Sequence, residues 1–95
     1  MNLNPERIKL RLLLGLHIKG KGYESHEDAL YDIIKYMDEK GSSSINFSSL
    51  HYALNVKVSN EYLEEVMAWA CSSLFFEEKI SGTKKTYHII KSPFT

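Results

Sequence analysis

The sequence predicts an α+β domain, mainly α with a small β-hairpin, and three observations carry that prediction. Leu30, Ile33, Ile34 and Met37 recur at three- and four-residue spacing, giving one apolar stripe along a helix. Leu63, Val66, Met67, Ala70 and Leu74 repeat the pattern further on. Beyond them, Phe75–Ile80 and Thr86–Ile90 read as two strands joined across Gly82, whose conformational freedom suits a tight turn. The chain of 95 residues has length for one domain, with 43% apolar and 25% charged residues, as expected of a folded globular chain. That length excludes large multi-domain enzymes and folds built from two βαβ halves.

Taken in order, Asn4-Pro5-Glu6 has the form of a helix start, with a cap residue, proline in the first position and an acid in the first turn. The segment that follows alternates: Ile8, Leu10, Leu12, Leu14, Leu16 and Ile18 are apolar with mostly polar residues between, a strand signature that Leu13 alone breaks. Leucine favours helix, so residues 6–19 stand as helix or strand. Residues 1–24 are read as an N-terminal extension and possible dimerisation segment, and 25–92 as the domain proper. Ser25 and Asp28 form a capping-box pattern, Glu27, Asp32, Lys35 and Glu39 lie off the apolar stripe, and Gly41 stands where a helix stops. Ile45–Phe47 reads as a very short strand, and Ser48 as the cap of a short helix over Ser49–Asn55. Ser59 or Asn60 caps the longer helix, and Pro93 ends regular structure.

Read from residue 27, the order is helix, short strand, short helix, turn, longer helix and two-stranded hairpin. That order resembles the winged helix-turn-helix superfamily, with Ala29–Lys40 as first helix, Ile45–Phe47 as the short strand and Ser48–Asn55 as second helix. Asn60–Leu74 corresponds to the recognition helix and Phe75–Ile90 to the wing. The resemblance covers about two-thirds of the chain and is one of element order, not of a residue motif. It implies a DNA-binding transcriptional regulator without enzymatic activity or cofactor. Its double-stranded DNA would be read by the third helix and held by basic residues of the wing. Position by position, Ser59 and Asn60 fall at the base-reading end of that helix, followed by Glu61, Glu64 and Glu65. Lys57, Lys79, Lys84 and Lys85 fall at backbone-contacting positions, and Arg7 and Arg11 in the extension offer further phosphate contacts.

The charge pattern opens a second reading. Acids and bases balance at twelve each, but in blocks: residues 1–22 carry +4, 23–40 carry −4, 61–78 carry −5 and 79–95 carry +4. On the third helix the face opposite the apolar stripe holds Glu61, Glu65, Ala68 and Ser72, with Glu64 beside them and no base. Carboxylates repel phosphate, and phosphate attraction supplies most non-specific affinity. The alternative is therefore a protein-interaction winged helix that presents Glu61, Glu64, Glu65 and Trp69 to a basic partner protein. Tyr62, Trp69, Ser73 and Phe76 form a second stripe beside the core face, read as core or as partner surface, and with the apolar 10–18 segment they point to a homodimer.

Other constellations carry less. Gly15–Gly22 approaches a phosphate-binding loop, but Gly22 offers no hydroxyl where magnesium needs one, so a connector is expected. His17, His26, His51 and His88 show no helical pair and none is near Cys71, so no metal site is expected. Cys71, the single cysteine, is expected as a small buried hydrophobe and excludes a disulfide framework. No signal peptide or membrane span is legible, and a cytoplasmic protein is expected.

Overall fold

The computed structural model of the chain describes residues 18–19, 22–23, 25–54 and 56–92, together with Glu6. Its described strands begin with two very short antiparallel ones, β1 (Ile18–Lys19) and β2 (Gly22–Tyr23), paired Ile18 with Tyr23 and Lys19 with Gly22. The expected connector thus contains a small ladder. Whether residues 7–17 are helix or strand lies outside the described residues. Tyr23 anchors the ladder to the domain: it is buried in the core, and its hydroxyl donates to the Asp32 carboxylate at 2.5 Å.

Helix α1 (His26–Glu39) begins as its sequence dictates. The Ser25 hydroxyl accepts from the Asp28 amide at 3.4 Å, one half of a capping box, and donates to the Asp28 carboxylate at 3.2 Å, a side-chain bond in place of the box's backbone one. At its other end Gly41 takes φ +64°. The Gly41 amide donates to the Asp38 carbonyl and the Ser42 amide to the Met37 carbonyl, which closes a Schellman motif. Ala29, Leu30, Ile33, Ile34 and Met37 are buried, and so are Asp28 and Asp32. Asp32, expected off the stripe, instead turns toward Tyr23, because its carboxylate has that phenol to receive.

After α1 the chain forms β3 (Ser44–Asn46) and a 3₁₀ turn over Phe47–Ser49, then the single-turn helix α2 (Leu50–Ala53). The expected helix over 49–55 capped by Ser48 is shorter, because the chain enters it through the tighter 3₁₀ turn, where the Leu50 amide bonds the Phe47 carbonyl. Helix α3 (Asn60–Ser72) follows, with Ser59 as its cap accepting from the Tyr62 amide at 3.1 Å. It ends before Leu74, which is 69% exposed and left-handed at φ +63°, and not turned inward as the stripe implied.

Strands β4 (Phe76–Ser81) and β5 (Lys84–Ile89) make the hairpin, and β3 joins it in a three-stranded antiparallel sheet of order β3-β5-β4. The turn is tighter than the expected five residues: Gly82 and Thr83 suffice, with only Gly82 at positive φ, as in a II′ turn. Cross-strand partners share a face, so Ile45, Tyr87, Glu78, Phe76 and Ile89 lie on one side, with Ile80 and Lys85 beyond them. Ile45, Tyr87 and Phe76 on that face belong to the core formed with α1, α2 and α3. On the other side lie Ser44, Asn46, Thr86, His88, Glu77 and Lys79, with Ser81 and Lys84 nearest the turn. The described residues are therefore α+β, with three helices and a small sheet, in a layout compatible with a winged helix.

Candidate nucleic-acid and partner interface

The core stripe of α3 fixes what its opposite face presents. With Leu63, Val66, Met67 and Ala70 buried, Glu61, Glu64, Glu65, Ala68 and Ser72 are all exposed. Two of the three acids are engaged at the edge of that face. Glu65 lies 3.5 Å from His26 Nε2, and Glu64 lies 3.8 Å from the Lys85 ammonium. His26 in turn meets the rings of Trp69 and Tyr62, with centroids 5.8 and 6.1 Å away. Trp69 is half-buried and also meets Phe75 edge-on at 5.7 Å. Trp69 and Tyr62 thus pack partly against the core, and Phe76 of the same stripe lies fully within it. Burial pushes the Tyr62 phenol above its ordinary value.

Ser59 and Asn60, expected to read bases, have structural employment at the start of α3. Ser59 caps the helix, and Asn60 Oδ1 lies 2.9 Å from His51 Nε2, tying α3 to α2. Both remain exposed.

The basic positions divide by strand register. Lys79 and Lys84 stand on the outer face of the β4–β5 hairpin, both exposed, and Lys57 is exposed on the loop before α3. Among the described residues no carboxylate pairs with any of these three. Lys85, one residue on from Lys84, turns to the inner face, where its ammonium sits 5.6 Å from the Phe47 ring centroid and reaches Glu64. Arg7 and Arg11 lie outside the described residues.

A cleft of about 400 Å³ opens where the β4–β5 turn meets the corner between β3 and the 3₁₀ turn. Asn46, Phe47, Ser48, Thr83, Lys84 and Lys85 line it. Of these only the lysines had a signal in the sequence. The rest are brought there by the pairing of β3 with β5, which no local pattern announces.

Among the described residues no cluster of three or more histidine, cysteine or acidic side chains stands ready for a metal ion. Cys71 is half-buried, and burial together with Glu78 pushes its thiol above its ordinary value, away from the thiolate a nucleophile needs. Among the described residues no helix is long and apolar enough to cross a membrane. No protein-family model, curated protein or solved structure matches the chain.

Proposed function

We propose that the chain is a non-enzymatic winged-helix module that binds double-stranded DNA through its wing, in transcriptional or other DNA-linked regulation. Element order supports the winged-helix reading, as does a short strand after the first helix that pairs with the last strand of the hairpin. The observation that carries the DNA reading is the pair Lys79 and Lys84, both exposed on the outer wing face and without a carboxylate partner among the described residues. Lys57 adds a third cation before α3. Phosphates meet these ammonium groups, while the acids of α3 keep that helix from lying deep in the major groove.

The exposed row Glu61, Glu64 and Glu65 favours a second reading, a basic protein partner seated on α3 with Trp69 at its edge. The two readings part in one experiment. Fluorescence anisotropy with a mixed-sequence duplex at about 50 and about 200 mM salt should show affinity falling by orders of magnitude across that range. Charge reversal of Lys79 and Lys84 should abolish the low-salt binding. Absence of binding at low salt removes the DNA reading and leaves the acidic helix face as the functional surface.

A further inference from the structure

We propose that the cleft at the base of the wing turn is a phosphate-binding subsite, and that Glu64 gates it by holding Lys85. The proposal deepens the wing reading and rests on it for its ligand in the cell, a phosphodiester of the duplex backbone.

The cleft's chemistry is that of an anion receptor. Two lysines, Lys84 and Lys85, and two hydroxyl-bearing residues, Thr83 and Ser48, are among the residues that line the cleft. Asn46 Oδ1 already accepts from the Thr86 hydroxyl at 3.2 Å, and the side chain's NH2 group is a donor by its chemistry. Phe47, half-buried, contributes an apolar side over which the Lys85 ammonium lies. No carboxylate lines the cleft. At about 400 Å³ its volume exceeds that of one phosphate and leaves room for the esterified groups that flank it.

The acid that matters stands just outside. Glu64 reaches the ammonium of Lys85 from α3 at 3.8 Å, so a lysine that lines the cleft is shared with a carboxylate. An anion entering the cleft must compete with Glu64 for Lys85 and also feels its negative charge. When the anion wins, Lys85 leaves Glu64, and the α3 face gains an uncompensated carboxylate. Occupancy of the wing cleft and the charge on α3 are thereby coupled through one lysine. Glu61, on the same helix face, has no partner among the described residues and no such link to the wing.

The test is an amide ¹H–¹⁵N titration of the full chain, first with inorganic phosphate against chloride at constant ionic strength, then with a twelve-base-pair duplex. Phosphate is expected to shift the amides of 46–48 and 83–85 selectively. Glu64→Gln should tighten that binding about five-fold, the effect of removing one like charge a few ångströms away in a water-exposed site. Glu61→Gln should tighten it markedly less. Equal effects of the two substitutions overturn the gate. A duplex that binds without shifting 46–48 and 83–85 overturns the cleft and leaves the wing reading standing. Selective phosphate shifts with no duplex binding support the cleft, identify free phosphate esters as its ligand and remove the DNA reading.

Discussion

Lys85 on β5 and Glu64 on α3 meet at 3.8 Å, so the β4–β5 hairpin is tied electrostatically to the acidic face of α3. The pair is a surface one: the lysine side chain is 36% and the glutamate 57% exposed. Exposed ion pairs contribute about 0–1 kcal/mol, because water screens them and long side chains lose rotamer freedom. Glu64→Gln should therefore shift the urea-unfolding free energy by less than about 0.5 kcal/mol. Its consequence belongs to binding: the substitution should raise duplex affinity at low salt while the unfolding midpoint stays in place. A loss of more than about 1 kcal/mol would make the pair a fold determinant, contrary to its exposure.

Leu74 should be a site of easy stabilisation. It stands at the left-handed position that ends α3, where the Leu74 amide donates to the Cys71 carbonyl and the Phe75 amide to the Ala70 carbonyl. Gly41 occupies the matching position after α1 at nearly the same φ. A side chain at positive φ costs roughly 1–2 kcal/mol. Glycine's greater freedom in the unfolded chain offsets about 0.5–1 kcal/mol of the relief. Leu74 is also 69% exposed, so little packing is lost on its removal. Leu74→Gly should stabilise the protein by about 0.5–1 kcal/mol. The converse, Gly41→Ala, should destabilise by a similar amount, although open space surrounds that site. Thermal unfolding of the two variants checks both signs.

The helices were legible because their determinants are local. Ser25 with Asp28, Gly41, and Ser59 each act within one turn of themselves, and the apolar stripes of α1 and α3 follow from spacing alone. Leu74 misled because spacing continues the stripe while backbone geometry ends the helix; a leucine there gives no glycine-like signal. Asp32 looked like a surface acid because its partner, Tyr23, comes from before α1. For the interface, the acidic face of α3 followed from the sequence, but the separation of Lys84 from Lys85 needed the register of β5. The cleft needed β3 to pair with β5 across forty residues, as in the Thr86–Asn46 bond.

Tyr23 should matter more than its place in a two-residue strand suggests. Its hydroxyl donates at 2.5 Å to Asp32, a carboxylate that is 4% exposed. Its own amide donates to the Tyr62 hydroxyl at 3.1 Å, joining β2 to α3. Tyr23→Phe keeps the ring in the core and removes one donor from a buried carboxylate, a change that costs about 1–3 kcal/mol. Chemical denaturation of this variant should show that loss. Tyr52→Phe, at a tyrosine 78% exposed, should show none. Equal stabilities for the two variants would mean that water or another group replaces the phenol at Asp32 without cost.

Alkaline titration should single out Tyr87. The ring is 1% exposed, burial is the largest cause that raises its phenol well above the ordinary value of 10.0, and Glu78 across the ladder adds to it by charge and hydrogen bond. Above pH 10 the unfolded chain releases this proton while the folded chain keeps it, so the folded state binds more protons. Stability contributed by the neutral buried phenol is therefore complete below pH 10 and declines as pH rises beyond it. Tyr62 and Tyr87 should remain un-ionised by ultraviolet absorbance as the pH passes 10.0, for as long as the fold persists. Their ionisation should coincide with loss of the folded circular-dichroism signal. Tyr87→Phe should make the alkaline decline shallower without removing it, since Tyr62 is also raised. Ionisation of Tyr87 near pH 10 with the fold intact would contradict its burial on the core face of the sheet.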